Sequence, residues 1–318
     1  MKQEALTAVV SCLSLSGKRL DQVLSKMFSE YSRSYLKKLI LKNKVVIDSD
    51  IVNRPDKTIL GGEIISIYPY FTIATQNLPE NIDLDIVYED NEILVINKPA
   101  GFVVHPGSGN NTGTLLNALL YRYKDIKNLP RSGIVHRLDK NTSGLMVVAK
   151  TMFSYNYLVA LLKKRNICRE YQGIVKGNMI SGGTIDAPIQ RHLYKRTCMM
   201  VHNLGKRSVT HYKIIHRFKF HTHIQIRLDT GRTHQIRVHM LHIGHPLIGD
   251  SLYGGLNRFS QFVNHKPCNY ISQVIKFPRQ ALHAGYISFR HPITRNLISW
   301  TIPLPKDIKN LLLCLSKI

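Results

Sequence analysis

The stretch Ile134-Val135-His136-Arg137-Leu138-Asp139-Lys140-Asn141-Thr142-Ser143-Gly144-Leu145-Met146-Val147-Val148-Ala149 sets two apolar, β-prone runs around a polar Asp-Lys-Asn-Thr-Ser-Gly segment. Such runs favour strands and Asn, Ser and Gly favour turns, so the expectation is strand, tight turn, strand, with Asp139 where the first strand ends. Side chains alternate along a strand, which puts Val135, Arg137 and Asp139 on one side. A cation near a carboxylate favours the charged form and leaves it available as a nucleophile or base. The same residues also suit a purely structural hairpin, in which Asp139 and Asn141 bond their own turn and Arg137 is a surface charge.

The 318 residues suffice for one large domain with a sizeable core and a small second one. Lys and Arg total 44 against 20 Asp and Glu, a formal net charge of +24. That imbalance asks for a polyanionic partner, nucleic acid before a membrane surface, because the positives are not gathered on one amphipathic helix. No apolar run approaches the roughly 20 residues that span a bilayer. The N-terminus also lacks a cleavable-signal pattern, so a soluble, cytoplasmic protein is expected. Cys12, Cys168, Cys198, Cys268 and Cys314 include no Cys-x-x-Cys pair and are expected to be reduced and incidental. His221-Thr222-His223 and His239-Met240-Leu241-His242 come nearest to ligand spacing. Without companion cysteines or a His-Glu-x-x-His helix, no metal is expected.

Residues 1–17 read as a tail or edge strand. Leu20, Val23, Leu24, Met27 and Phe28 then recur at helical spacing, and Ser32 or Ser34 offers a cap for a second helix carrying Leu36, Leu39, Ile40 and Leu41. That helix and its exit hold Arg33, Lys37, Lys38, Lys42 and Lys44 with no acid among them. Charge runs are usually solvated faces, but the charge of the whole chain favours phosphate contact. Val45-Val46-Ile47 and Ile64-Ile65-Ser66-Ile67 read as short strands, giving a small domain over 18–68. Pro69, Pro79 and the aperiodic residues between them mark a linker at 69–81, and a second domain fills 82–318.

In that second domain Asp85 to Pro99 reads as two strands around an acidic turn. Thr114 caps a helix with Leu115, Leu116, Leu119 and Leu120 on one face, and Thr151 to Arg165 forms another helix. Arg169 to Gly177 and Phe220 to Thr230 read as strands. Between Asp186 and Asp229 there is no acid, while Arg191, Lys195, Arg196, Lys206, Arg207, Lys213, Arg217, Lys219 and Arg227 all fall there, favouring a polyanion track over a self-paired surface. Thr233 is the expected cap of a helix carrying Ile236, Met240 and Ile243 that Gly244 and Pro246 end. Leu282 to Ile302 supplies closing strands, followed by a short helix.

Several motifs carry a resemblance. His136-Arg137-Leu138-Asp139-Lys140-Asn141-Thr142-Ser143-Gly144 is similar to the signature of the RluA-type pseudouridine synthases. Asn97-Lys98-Pro99-Ala100-Gly101-Phe102-Val103-Val104-His105-Pro106-Gly107 and Gly231-Arg232-Thr233-His234-Gln235-Ile236-Arg237-Val238-His239 resemble further segments of the same family, and Gly249 to Gly254 and Leu282-His283-Ala284 resemble late segments taken as mainly architectural. The helix pair and small sheet resemble the αL-type (S4-like) RNA-binding domain. The resemblance implies an α+β fold, a mixed and mostly antiparallel catalytic sheet behind the small domain.

It also implies isomerisation of uridine to pseudouridine without cofactor or metal, with Asp139 as nucleophile, Arg237 as its ion-pair partner and Tyr171 packed on the target base. Arg137 would fill the gap left by the flipped nucleotide, and Arg33, Lys37, Lys38, Lys42 and Lys44 would grip RNA. The order of motifs is most similar to the D-type branch, which acts on a stem-loop of large-subunit (23S) ribosomal RNA, with the C-type branch next. The expected partner is ribosomal RNA or a pre-50S particle, met by a monomer. A noncatalytic RNA-binding assembly factor would keep the basic surfaces and lose the Asp139, Tyr171 and Arg237 set. A nucleoside hydrolase would show a metal-binding carboxylate cluster, and the sequence has none.

Overall fold

The computed structural model describes residues 6–9, 15–28, 31, 33–68, 77–107, 109–254 and 274–317. The chain divides between residues 76 and 77 into two compact units.

In the smaller unit the apolar spacing forms helices α1 (Leu20–Met27) and α2 (Arg33–Leu41). The strands are β1 (Leu6–Val9), β2 (Lys18–Arg19), β3 (Val45–Ile47), β4 (Asp50–Ile51), β5 (Thr58–Ile59) and β6 (Ile64–Ile67). One sheet has the order β1-β6-β3-β4, and β2 pairs with β5. Leu20, Val23 and Leu24 of α1 pack with Leu36, Leu39 and Ile40 of α2 over Val45, Ile65 and Ile67. The N-terminal segment is not a free tail along its whole length: β1 is an edge strand laddered to β6 from Leu6↔Ile67 to Val9↔Ile64, which satisfies backbone groups on β6. Ser32, one of the two candidate caps of α2, lies outside the described residues, and Ser34 falls inside the helix.

The larger unit is built on a nine-stranded sheet. Its elements are β7 (Ile86–Glu89), β8 (Ile93–Lys98), α3 (Leu115–Arg122), β9 (Ser143–Ala149), α4 (Met152–Lys163), β10 (Cys168–Lys176) and β11 (Gly183–Asp186). After a small hairpin of β12 (Ile189–Arg191) and β13 (Met199–Val201) come β14 (Val209–Arg217), β15 (His221–Leu228), α5 (Gln235–His242), β16 (Leu282–Arg290), β17 (Leu297–Thr301) and α6 (Lys306–Leu315). The order is β11-β14-β15-β10-β16-β9-β8-β7, with β17 on β16. Every adjacent pair is antiparallel except β16 with β9. The architecture is α+β, mixed and mostly antiparallel.

Strand β9 is buried along its whole length, and its period of two serves two cores. Met146 and Val148 face α3, α5 and β15, while Leu145 and Val147 face α4, Phe289 and Trp300. Helix α3 starts where its capping box dictates: Asn117 N donates to the Thr114 hydroxyl, and Thr114 N donates to the Asn117 side chain. Helix α4 is capped by one arm alone, the Thr151 hydroxyl accepting from Ser154 N at 3.1 Å.

Two expected boundaries shift. Residues 69–76 of the expected linker lie outside the described residues, but 77–81 belong to the larger unit. Asn117 Nδ2 donates to Leu78 O at 2.8 Å and Gly113 N to the Glu80 carboxylate at 3.0 Å, so this end of the segment is fastened to the cap of α3. The first half of the expected hairpin, Val135 to Asp139, is not a strand; a single bridge joins Ile134 to Val148. The reason is a side chain. Val147 N donates to His136 Nε2 at 3.0 Å, so an imidazole takes the place of a ladder carbonyl beside β9. Burial, with the charge of Arg169 adding, pushes His136 down to about 3, and the neutral ring is therefore available as an acceptor.

Gly144, which follows the turn, has φ +123°, and a Cβ there would lie 2.3 Å from Ala284 O across the short parallel pairing of β9 with β16. Gly144→Ala is expected to destabilise the protein by about 3 kcal/mol or more, read as a lower urea midpoint, because both the backbone and the ladder must give way.

Candidate active site

Asp139 sits at the end of the irregular segment, where a turn returns the chain to β9: Thr142 N donates to Asp139 O at 3.1 Å. Buried Leu138 anchors the segment in the core below. The Asp139 side chain, 18% exposed, opens into a cavity of about 600 Å³, within the range typical of ligand sites. Arg137 is exposed and lines the same cavity, so the two side chains share a side although no strand alternation puts them there.

Arg237 reaches this carboxylate from α5, with Nη1 3.1 Å from Asp139 Oδ2. The start of α5 fixes its position. The expected cap, Thr233, is not used; His234 stands at the N-cap in the left-handed conformation, φ +56°. No side chain caps the first helical amides; Gln235 instead holds the entry turn, its Oε1 accepting from Arg232 N at 3.0 Å and its Nε2 donating to Val209 O at 3.0 Å. Arg237 is buried, and burial opposes its charge. That opposition is outweighed by Asp250, whose Oδ2 accepts from Nε at 2.7 Å and whose Oδ1 accepts from Nη2 at 2.8 Å, and then by Asp139. The guanidinium is thus pinned by a two-pronged pair and offers its remaining edge to Asp139.

Asp250 is held in turn, because its Oδ1 also accepts from Leu252 N and Tyr253 N, both at 3.0 Å. The Tyr253 ring lies 4.9 Å from the Arg237 guanidinium carbon, and its hydroxyl bonds His234 Nδ1 at 2.8 Å and accepts from Met199 N at 2.7 Å. His234 Nε2 is 4.0 Å from Asp139 Oδ1. Burial lowers the His234 pKa while Asp139 opposes, so the ring is neutral near pH 7.

Tyr171 is buried on β10 and lines the cavity; burial raises its phenol. Its hydroxyl has no hydrogen-bond partner among the described residues. Opposite it the ladder to β16 slips: Glu170 pairs with Tyr286 and Gln172 with His283, so Ala284 and Gly285 together face Tyr171. Bulges of this kind re-aim side chains beside active sites.

Beneath the Asp139 turn, Lys98 is fully buried and donates to Pro99 O, Phe102 O and Lys140 O at 2.7, 2.9 and 3.0 Å. It clips the loop after β8 to the turn. Burial pushes its ammonium down to about 7, with Asp139 opposing and Arg279 adding.

The structure brings Asp139, Arg237, Tyr171 and Arg137 to one cavity of the larger unit, while the basic residues expected to grip RNA belong to the smaller unit. Lys37, Lys38 and Lys42 are exposed and Lys44 partly buried. Arg33 is exposed but not unopposed, since its Nη2 lies 2.7 Å from Asp21 of α1. The basic segment from 186 to 229 is also partly self-satisfied: Arg207 pairs with Asp186 at 2.8 Å, and Arg217 donates to Met179 O and Ile180 O. Two of the histidines considered as ligands take structural hydrogen bonds, His239 with Thr210 and Ala187 O, and His223 with Gln172.

Residues 92–242 match the RNA pseudouridylate synthase family, and residues 18–65 match the S4 domain. The chain is 64% identical over 98% of its length, and 99% of the relative's, to the ribosomal large subunit pseudouridine synthase D of Buchnera aphidicola subsp. Acyrthosiphon pisum. It belongs to the RNA pseudouridylate synthase family. The protein of the same name from Escherichia coli K12 is 50% identical over 96% of this synthase and 93% of that relative. In fold the synthase is similar to human RNA pseudouridylate synthase domain containing 1, with TM-score 0.55, 25% identity, and coverage of 74% of this chain and 89% of the human one.

Sequence reasoning about this synthase passed over Asp250, Tyr253, His234 and Lys98 as members of the site. By its pattern Gly249 to Gly254 reads only as architecture, because nothing local shows that its acid grips an arginine thirteen residues earlier on a buried helix. Lys98 lay within a noted motif but carried no role.

Two measurements follow for the synthase. Asp250→Ala strands a buried guanidinium and is expected to cost about 3–5 kcal/mol in denaturant unfolding, whereas Asp139→Asn, at a partly open position, costs much less. Lys98 has a folded pKa of about 7 against its ordinary 10.5. In that window the unfolded chain binds a proton that the folded chain lacks, so this lysine adds stability as pH rises from about 7 and withholds it below. The stability of the parent relative to Lys98→Met is therefore expected to increase between pH 7 and pH 9.5 in urea titrations.

Proposed function

We propose that this synthase isomerises specific uridines of large-subunit (23S) ribosomal RNA to pseudouridine, with Asp139 as the attacking group. The observation that carries the reading is a partly open carboxylate at a cavity of about 600 Å³, oriented by a guanidinium from a separate helix. The names of the relatives, at 49–64% identity over nearly the whole chain, favour a ribosomal large-subunit target. The net charge of +24 suits a polyanion.

The target base must leave its stack to reach the cavity. Arg137, exposed at the wall, would occupy the space left behind, and Tyr171 would pack against the base. Attack at the sugar C1′ and abstraction of a sugar proton both start from the Asp139 carboxylate. In either case the N1–C1′ bond breaks and the uracil turns. C5 then bonds to C1′, displacing the Asp139 ester in the first route and returning the abstracted proton to the sugar in the second, and the proton lost from C5 is balanced by one gained at N1. No oxidant, reductant or cofactor enters that balance. Arg33, Lys37, Lys38, Lys42 and Lys44 would contact RNA phosphates from the smaller unit. The synthase would act as a cytoplasmic monomer on free ribosomal RNA or a large-subunit precursor; among the described residues no helix is long and apolar enough to cross a membrane.

The test is to incubate the protein with unmodified large-subunit RNA and map pseudouridine by chemical labelling. New modification at discrete positions is expected, and those positions separate a D-type from a C-type target set. Asp139→Asn should lose about 10³-fold or more in turnover while keeping RNA affinity within a few-fold. No modification by the parent, with Asp139→Ala indistinguishable from it, would mean an RNA-binding assembly factor instead.

A further inference from the structure

One buried charge on the wall of the Asp139 cavity is not neutralised by any of the described residues. Three arginines are buried among the described residues: Arg169, Arg237 and Arg279. Arg237 is bonded to Asp250 and Asp139, and Arg279 is bonded to Asp307 with Nε to Oδ2 at 2.7 Å. Arg169, 8% exposed, has no hydrogen bond or ion pair among the described residues, and its Nε is buried with nothing to donate to. A guanidinium stays protonated at any physiological pH, so this residue cannot escape the cost of burial by losing its proton.

Its placement says what kind of group is missing. Arg169 stands two residues before Tyr171 on β10, so the two side chains share a face, and both line the cavity that holds Asp139. Across from it the backbone approaches at Gly231, where a Cβ would lie 2.9 Å from Nη1; glycine there leaves room for the guanidinium and for what it meets. The other carboxylate on this wall, Asp229, is 3.1 Å from His211 Nε2. The group that completes Arg169 is therefore an anion brought from outside. A uridine entering the cavity has a neutral base and a neutral sugar, and the only anion it carries is its phosphodiester.

We propose that Arg169 is the docking group for a phosphodiester adjoining the nucleotide that enters the Asp139 cavity. The inference rests on the reading of this cavity as an RNA-modifying site and adds a binding residue to it. The fork of Arg169 takes two phosphate oxygens, which fixes the sugar between that contact and the Asp139 carboxylate. The free protein carries the unpaired charge, and RNA binding relieves it.

The probe is a synthetic RNA stem-loop carrying the uridine mapped above, with a single neutral methylphosphonate placed on the 5′ or the 3′ side of that uridine. Affinity of the full-length chain is read by fluorescence anisotropy. The parent is expected to lose about tenfold or more at one of the two linkages. Arg169→Met should lose a comparable factor on unmodified RNA and nothing further at that linkage, while its free form melts at or above the parent temperature because an unpaired buried cation is gone. Arg169→Lys, which keeps the charge but not the fork, should fall between parent and Met variant on unmodified RNA. A parent indifferent to both methylphosphonates overturns the proposal. So does a Met variant that still loses the full factor at the sensitive linkage, or Met and Lys variants that both melt well below the parent. Absence of any mapped pseudouridine would sink the proposed function; pseudouridine formed normally with no coupling between Arg169 and a linkage sinks this inference alone.

Discussion

The site depends on one guanidinium shared between two carboxylates. Arg237 is buried, and a lone cation there would be expensive, so its position is set by the group that best compensates it. That group is Asp250, which takes two of its nitrogens and is itself tied to the backbone at 252 and 253. Asp139 receives what remains, one contact at 3.1 Å, and keeps 18% of its surface open. The division separates two duties: one acid holds the arginine, and the other is oriented by it while staying accessible. Preorganised charge of this kind needs no rearrangement when the reacting group arrives.

Around that triad the fold supplies rigid supports from distant parts of the chain. The turn carrying Asp139 is clipped from below by Lys98, whose ammonium donates to three carbonyls, those of Pro99, Phe102 and Lys140. From behind it is held by β9, which is wedged between two cores and touches β16 closely enough that only glycine fits at 144. Tyr171 is aimed by the slip between β10 and β16. His136 replaces a strand partner of β9 and so frees the segment before Asp139 to curve toward the cavity. Backbone strain collects here too, with Arg131, Arg165 and His234 on the cavity wall all at positive φ.

Most elements were legible because local physics decides them. The periodic apolar faces gave α1, α3 and α4, and Thr114 and Thr151 cap where their hydroxyls can reach the third amide onward. The strand ranges Val45–Ile47 and Ile64–Ile67 agree with the structure to the residue. Expectations failed where a distant contact set the local path: His136 in place of a ladder carbonyl, Gln235 in place of Thr233 as the side chain that holds the start of α5. Both substitutions depend on what packs opposite, and neighbouring residues in sequence do not reveal that. Charge followed the same rule. The run from Arg33 to Lys44 has no acid of its own, yet Asp21 on α1 lies against Arg33.

The sequence by itself determined the small basic unit ahead of the large one, through periodicity and composition, and the family with the α+β class that its resemblance implies, through motifs carried by contiguous residues. Tertiary structure alone decided which acid anchors Arg237 and which stays open, that Lys98 locks the Asp139 turn, and that Arg169 stands without a partner among the described residues. Each of those facts is a balance between burial and pairing across tens of residues of chain. Such balances are struck only when the fold removes water from both groups at once.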